Sequence, residues 1–541
     1  MVKSASILSS TQKTVLIHSS YGLWPVLEYE LDIVQRKLDE GYKVIFLTCN
    51  GDVQVCEANK TIQGKIVKRY CTECKSRVKN GLRWLSAKEN QLEVQNQNNL
   101  LQDQKKTISC ILKSIDDNHK SQDEVRSIVN IENIDIYESA LSTLITDLQI
   151  STPNLDMYAE PFVWQLRVAL ESYYSAINCF EKYKPDEIYV YNGRFSKYRP
   201  MLRQAKYAGI LVRVYEYPYA GYEKYITINN DYPHNLPNTA RLMKQVALES
   251  PLTNNEIVNK GEAWFNSRIY SRDQLEEPMI PTYNYWQKTE MIGKWDERDY
   301  NIVFFVSSEH EICAIQEVKK THPYGQIEAI RALLLATTRS VIHVRIHPNL
   351  QDKDPEFLAR IIALEREVRL NIIMPRSAVD SYALMKMADL VVTFGSTAGI
   401  EAAYLRKPVI TVGASFYEEF PATVTVVTHN QLVQLVKAAE NADYSMFPPL
   451  EQRYAEACKF GYAFLNFGNL PVYLSRQSYA GGVMQFQGVS TPIKASWLIL
   501  IFNRLLDLPS KLLEGAPLLL DPYKRKKLFA KPFSMLIKKL F

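Results

Sequence analysis

Apolar positions along the chain fall into short runs separated by stretches of helical spacing. Residues 14–18 read as a strand, the loop 19–25 follows, and a helical pattern runs from Val26 to about Glu40, where Gly41 ends it. A second apolar run at 43–48 completes a strand, helix, strand unit of the length a parallel crossover needs. An α/β sheet therefore starts near the N-terminus.

From about residue 80 to 180 the chain is polar, rich in Gln and Asn, and carries apolar residues such as Leu141, Leu144 and Leu148 at helical spacing, which predicts a helical insertion. Strands resume at 187–191 and 211–215, with Met201, Leu202 and Ala205 on a helix between them. The pattern predicts a first domain over residues 1–290. Alternation restarts at 301–306 and continues through 341–346, 371–373, 389–393, 408–412 and 423–427. Near-continuous apolar strands spaced by helix-length segments predict a parallel sheet covered on both faces, here a second domain over 291–445. C-terminal helices are expected over 446–489 and a basic amphipathic tail over 490–541. Loops at the carboxyl ends of two such sheets face a cleft, where ligands bind.

Composition narrows the class. Of 541 residues, 46% are apolar and 23% charged, which excludes a disordered, collagen-like or largely membrane-embedded chain. The net charge is +5, but residues 523–541 hold seven basic side chains and no acidic one, so the remainder is slightly negative. A nucleic-acid binder carries its basic face on the folded domain, so this distribution fits a surface anchor better. The six apolar residues 497–502 are too few to span a bilayer. Together with later leucines and Lys/Arg clusters they predict an interfacial anchor on the membrane, or alternatively a helix packed on another domain or subunit. Eight cysteines do not make a disulfide framework, and the first ten residues lack a secretory apolar run. A reducing cytoplasm, at the inner face of the membrane, is expected.

The most informative segment is 389–403, a buried strand ending in Gly395 and followed by a small-residue turn, Ser396, Thr397 and Gly399, that opens a helix. Amides at such a turn suit phosphate oxygens, although many strand-to-helix turns use Gly and Ser only to turn and cap. His347-Pro348 follows the strand 341–346 at the same expected sheet edge; the imidazole can donate to phosphate from a corner that Pro348 stiffens.

With these motifs the sequence resembles, over roughly residues 300 to 430, the bacterial capsule-polysaccharide and related cell-envelope glycosyltransferases of GT-B architecture. In those families, and similarly in bacterial sialyltransferases and teichoic-acid polymerases, a His-Pro pair and a Ser-Ser or Ser-Thr pair hold the phosphate of a nucleotide-activated donor. The resemblance implies a GT-B-like α/β fold of two Rossmann-like domains. It also implies a nucleotide-activated sugar held by His347, Pro348, Gly395, Ser396, Thr397 and Gly399, with Glu401 at the donor ribose, and a glycan or glycolipid acceptor. Metal-independent inversion is the expected chemistry, since no Asp-x-Asp stands at a strand end. A glycerol- or ribitol-phosphate transferase, a sugar-nucleotide epimerase and a non-catalytic glycan-binding scaffold share the architecture.

In the first domain, Asn192 and Arg194 follow a strand end and can grip a substrate, or Asn192-Gly193 can serve only as a turn. Inversion needs a base for the acceptor hydroxyl. Glu216, His18 and Glu28 are candidates, with Glu28 on a helix whose charges read as solvent-facing. Ser308, in the loop 307–311, is another cleft contact. Finally, Cys49, Cys56, Cys71 and Cys74 form a Cys-x6-Cys-x14-Cys-x2-Cys cluster. Four thiolates predict a closed structural zinc site; an iron–sulfur cluster or unligated thiols use the same residues.

Overall fold

The computed structural model describes residues 12–19, 21–53, 55–59, 68–116, 121–217, 224–269, 295, 299–322, 325–337, 339–350, 354–366, 369–478, 481–486 and 488–501. Most of the predicted tail, residues 502–541, lies outside the described residues.

The first sheet comprises β1 (Thr14–His18), β2 (Lys43–Thr48), β3 (Leu92–Asn96), β4 (Glu187–Tyr191), β5 (Leu211–Glu216) and β6 (Ile226–Asn229), in the order β3-β2-β1-β4-β5-β6. All neighbours are parallel except the β5–β6 pair. The second contains β7 (Tyr300–Phe305), β8 (Ser340–Arg345), β9 (Leu370–Ile373), β10 (Leu390–Phe394), β11 (Val409–Val412) and β12 (Val424–Val426), ordered β12-β11-β10-β7-β8-β9 and wholly parallel. Each is the doubly wound order with a switch point between its first and fourth strands, β1/β4 and β7/β10. Two Rossmann-like sheets of six strands make the GT-B-like α/β fold that the resemblance implies.

Three boundaries differ from the sequence reading. The polar stretch Leu92–Asn96, read as part of the helical insertion, is edge strand β3; half-buried on both faces, it lacks the apolar run that marks a central strand. The helices Leu236–Leu248 and Asn254–Ile269, assigned to the first domain, bury Met243, Trp264 and Phe265 in the core beside β7 and β10, so the chain has already crossed to the second domain. Asn254–Ile269 packs so tightly on the helix Leu450–Asn466 that a Cβ on Gly261 would lie 1.8 Å from the Cys458 carbonyl oxygen. After that single C-terminal helix the chain forms an antiparallel sheet, β13 (Leu474–Ser478), β14 (Gly481–Phe486) and β15 (Val489–Pro492), where helices were expected. Leu474, Met484 and Phe486 return to the core of the first domain.

This return explains the helix Val26–Asp39, which is buried on nearly every side. Its acidic residues are matched rather than solvated. Glu30 accepts from Ser19 Oγ and from Tyr215 OH at 2.6 Å each, and Asp32 accepts from the Val472 and Tyr473 amides at 2.6 and 2.7 Å. Glu28, expected to face solvent, is 1% exposed and pairs with Arg77 at 2.5 Å. Buried charges persist where such partners satisfy them.

The domains meet through apolar and polar contacts: Ile315, Val318 and Ala414 of the second domain join the core of the first. Arg203 pairs with Glu317 at 2.7 Å, and Tyr232 OH donates to the other Glu317 oxygen at 2.6 Å. Ser151, at the end of an insertion helix, donates its amide to Asp354 Oδ2 at 2.9 Å.

Candidate active site

In the second sheet β8 and β10 flank β7, and all three run parallel. His347, just after β8, and Ser396, just after β10, therefore emerge at one edge, about 10 Å apart at two strand spacings. Pro348 opens a short 3-10 turn, Pro348–Leu350, anchored by buried Leu350. The half-buried imidazole of His347 thus leaves a fixed corner.

The turn after β10 is largely closed on itself. Ser396 donates its amide to Thr393 Oγ1 at 3.2 Å, its Oγ accepts from the Ala398 amide at 3.3 Å, and its carbonyl accepts from Tyr417 OH at 2.7 Å and from the Gly399 amide at 3.0 Å. Thr397 is the N-cap and makes no side-chain cap bond. Several amides expected to face a ligand are therefore already engaged within the protein. Gly395 adopts φ +62°, and a Cβ there would lie 2.1 Å from the Ala414 carbonyl oxygen, so β10 and the segment after β11 approach closely only because it is glycine. Gly399 is different from the sequence reading: it is buried against Tyr417 and Thr393 and serves packing rather than ligand approach. Glu401, read as a ribose contact, is 4% exposed, and its Oε1 accepts from Arg268 Nε at 2.8 Å and Nη2 at 2.7 Å. Its carboxylate is committed to that pair.

Between the two loops, the segment after β7 contributes Ser307 and Ser308. Gln326 clamps Ser307, accepting its amide at 2.6 Å and donating to its carbonyl at 2.9 Å. The buried Ser308 Oγ has no partner among the described residues. Sequence reasoning missed Glu418, on the loop after β11 at this same edge. Burial pushes its carboxyl up to about 7, with the Ser415 amide donating to it and His322 3.6 Å away. Two adjacent glutamates, Glu418-Glu419, shortly after a strand end were the available signal.

The first sheet presents His18, Asn192 and Glu216 at the ends of β1, β4 and β5. Asn192 and Gly193 both adopt left-handed backbone, φ 57° and 80°, so the turn reading of this pair is realised. The same turn aims Asn192 Nδ2 at Glu216 Oε2, 2.5 Å away, while the Tyr217 amide donates to Oε1 at 3.1 Å. Burial raises the Glu216 carboxyl to about 7 despite these donors. His18 is driven the other way, to about 3, by burial and the nearby Lys197 charge, and its Nδ1 lacks a partner among the described residues. With Gln97, Glu171 and Lys197 it lines a narrow recess. Glu28, fixed to Arg77, is not brought to this edge as an open base.

Arg194 is held by the insertion helix Ile136–Leu148. Its Nη1 donates to Thr146 Oγ1 at 2.9 Å, and burial lowers its pKa against the pull of Glu311 in the second domain and Glu216 in the first. The cysteines lie beside the first edge: Cys49 and Cys56 after β2, Cys71 and Cys74 on the helix Lys68–Leu82, all four as free thiols. Among the described residues no three His, Cys, Asp or Glu side chains form a ready metal cluster.

Residues 331–464 match the capsule polysaccharide biosynthesis protein family. That segment contains both His347 and the Ser396 turn, and it lies in the second of the two Rossmann-like sheets of the GT-B-like fold. No curated protein matches the chain. Among solved structures, the beta Kdo 2,4 transferase KpsC of Thermosulfurimonas dismutans is 14% identical, with 59% of this chain and 87% of that chain covered at a TM-score of 0.34. MnaA of S. aureus, solved with UDP, is 13% identical over 84% of this chain and 94% of that chain, at a TM-score of 0.27. Anabaena HepE, solved with UDP and glucose, is 12% identical over 85% and 96%, at 0.24. Superpositions this loose say nothing of ligand or reaction. No helix among the described residues is long and apolar enough to cross a membrane.

Proposed function

We propose that the protein transfers a sugar from a nucleotide-activated donor to a capsule or cell-envelope glycan or glycolipid. The observation that carries this reading is the placement of His347 and the Ser396 turn on either side of β7, at one edge of the sheet that contains the family segment. Loops at that edge present the imidazole and the turn amides from both sides of β7 to the linked phosphates of a nucleotide donor. His347, Ser308 Oγ and the Thr397 amide donate to their oxygens, and charge developing on the leaving phosphate is met by preorganised donors, without a catalytic divalent ion.

The acceptor enters from the first domain. Glu216 is the base: with a pKa near 7 it is partly ionised at neutral pH yet basic enough to take a hydroxyl proton. Direct displacement from the face opposite the phosphate inverts the anomeric centre. Arg194, buried two residues after Asn192, orients an acceptor oxygen. His18 stays neutral and offers a hydrogen-bonding nitrogen rather than a strong base. The basic residues of 523–541 hold the enzyme at an anionic membrane surface, where a lipid-linked acceptor resides.

The test is release of free nucleotide from a panel of nucleotide sugars in the presence of extracted envelope lipid. Nucleotide release that depends on the lipid extract, and that Glu216→Gln abolishes, is the expected result. Absence of release from every donor, with the protein folded, overturns the assignment.

A further inference from the structure

We propose that Cys49, Cys56, Cys71 and Cys74 bind one zinc ion, which ties the loop after β2 to the helix Lys68–Leu82. The fold brings together what the sequence separates. Cys49 directly follows the last residue of β2, Cys56 lies on the loop that continues from it, and Cys71 and Cys74 stand one turn apart on one helix face. A Cβ on Gly51, at φ +80°, would lie 3.4 Å from Cys71 Cβ and 3.8 Å from its sulfur, so the loop is laid flush on that helix.

Each sulfur is met by an N–H donor. The Gly51 amide donates to Cys49 Sγ at 3.2 Å and the Gly22 amide to Cys74 Sγ at 2.9 Å. Asn59 Nδ2 donates to Cys71 Sγ at 3.3 Å, and the Ala58 amide serves Cys56. A neutral thiol is a weak acceptor, and one such bond means little. Four donors drawn from two loops, each aimed at a different sulfur, form the outer shell that steadies a set of thiolates around a cation. Ligation needs thiolates, and a dication at their centre takes the protons off.

The sulfurs of the described residues are not yet at ligand separation. With the loop already laid on the helix, binding would rotate the thiols inward, and four thiolates leave no open position, so the ion is structural. Through the Gly22–Cys74 bond it braces the loop between β1 and the helix Val26–Asp39, hence the edge that presents His18. The inference does not rest on the transferase reading, because metal content is read without substrate.

The experiment is elemental analysis of untagged full-length protein from zinc-supplemented cells, followed by titration with an organomercurial in the presence of a zinc-responsive dye. About one zinc per chain, released as four thiols react, is expected. The double variant Cys71→Ser/Cys74→Ser should lose at least tenfold in bound zinc, whereas Cys110→Ser/Cys313→Ser should keep it. Should the first variant not fold, the mercurial titration of the native protein decides alone. Metal-free protein with freely reacting thiols overturns the site, as does iron with visible absorbance, or zinc that survives in the folded Cys71→Ser/Cys74→Ser protein.

Discussion

Asn192 donates from Nδ2 to Oε2 of Glu216 across the ends of two adjacent parallel strands, at 2.5 Å. The contact depends on backbone: Asn192 sits at φ 57°, a left-handed position that Asn tolerates better than most residues. A strand terminus, a turn and a buried carboxylate are thereby coupled, and the carboxylate titrates near neutrality.

The pH dependence follows. A base works only when ionised, so turnover should rise with pH through about 7 and level off above it. Glu216→Gln should cut kcat about 10²-fold or more while leaving donor affinity intact, and remove that limb of the profile. Stability runs the other way: the folded carboxyl holds a proton that an unfolded chain, near 4.5, releases. The contribution of Glu216 is present below 4.5 and is lost as pH rises through about 7. A pH–rate profile together with denaturant midpoints at pH 5 and 8 checks both signs; a flat rate profile removes Glu216 as the base.

Asn192→Gly keeps the left-handed backbone and deletes the side-chain donor to Glu216, together with the Oδ1 that accepts from the Arg194 amide at 3.3 Å. Loss of a hydrogen bond to a charged oxygen, worth about 1.5–3 kcal/mol, should move the alkaline-going limb up by roughly one pH unit or more. A reduced maximum with an unmoved midpoint would mean that Asn192 positions substrate instead.

On the opposite edge, His347→Ala should weaken binding of the donor nucleotide about 10-fold or more, and Ser396→Ala by less, because Ser396 acts partly through the turn it closes. Calorimetric titration with nucleoside diphosphates is the measurement, with the thermal midpoint as a control. Unchanged affinity in His347→Ala excludes it from the donor grip.

Much of this layout is legible in the residues themselves, and the gaps have physical causes. The apolar runs of β1, β2, β4, β5, β7, β8, β10 and β11 stand out because both faces of a central parallel strand are buried, and the edge strands β9 and β12 are legible because they too are written in Val and Ile. Edge strand β3, written Leu-Glu-Val-Gln-Asn, has no such run. Nothing local in residues 236–269 says which sheet the two helices there cover. Non-local partners are hidden altogether: Glu28 looks solvated until Arg77 is placed beside it, and Glu401 looks available until Arg268, 133 residues earlier, closes on it. His347 and Ser396 were legible because strand-end position alone fixes the edge they share.

The Glu401–Arg268 pair separates a packing role from a ligand role. Arg268→Met should strand a buried carboxylate and cost about 1–3 kcal/mol, discounted because the guanidinium is 37% exposed. Glu401→Gln should also lower the thermal midpoint while nucleotide affinity stays within about twofold. A large loss of donor affinity in a Glu401→Gln protein of unchanged stability would restore it to the ribose.

Membrane association tests the C-terminal charge. Trp497, Leu498 and Ile501 are exposed where the described chain stops, and seven basic side chains with no acidic ones follow in residues 523–541. An apolar lead with a cationic tail gains both from insertion at the interface and from anionic lipid, at about 1 kcal/mol per basic residue near the surface. Full-length protein should sediment with vesicles containing phosphatidylserine and be released by high salt, since the charge attraction is screened within a few Å at 1 M. A chain ending at residue 501 should remain in the supernatant and still release nucleotide from donor in detergent-dispersed acceptor. Equal sedimentation of the truncated chain would relocate the membrane contact to the folded domains and leave the tail without that role.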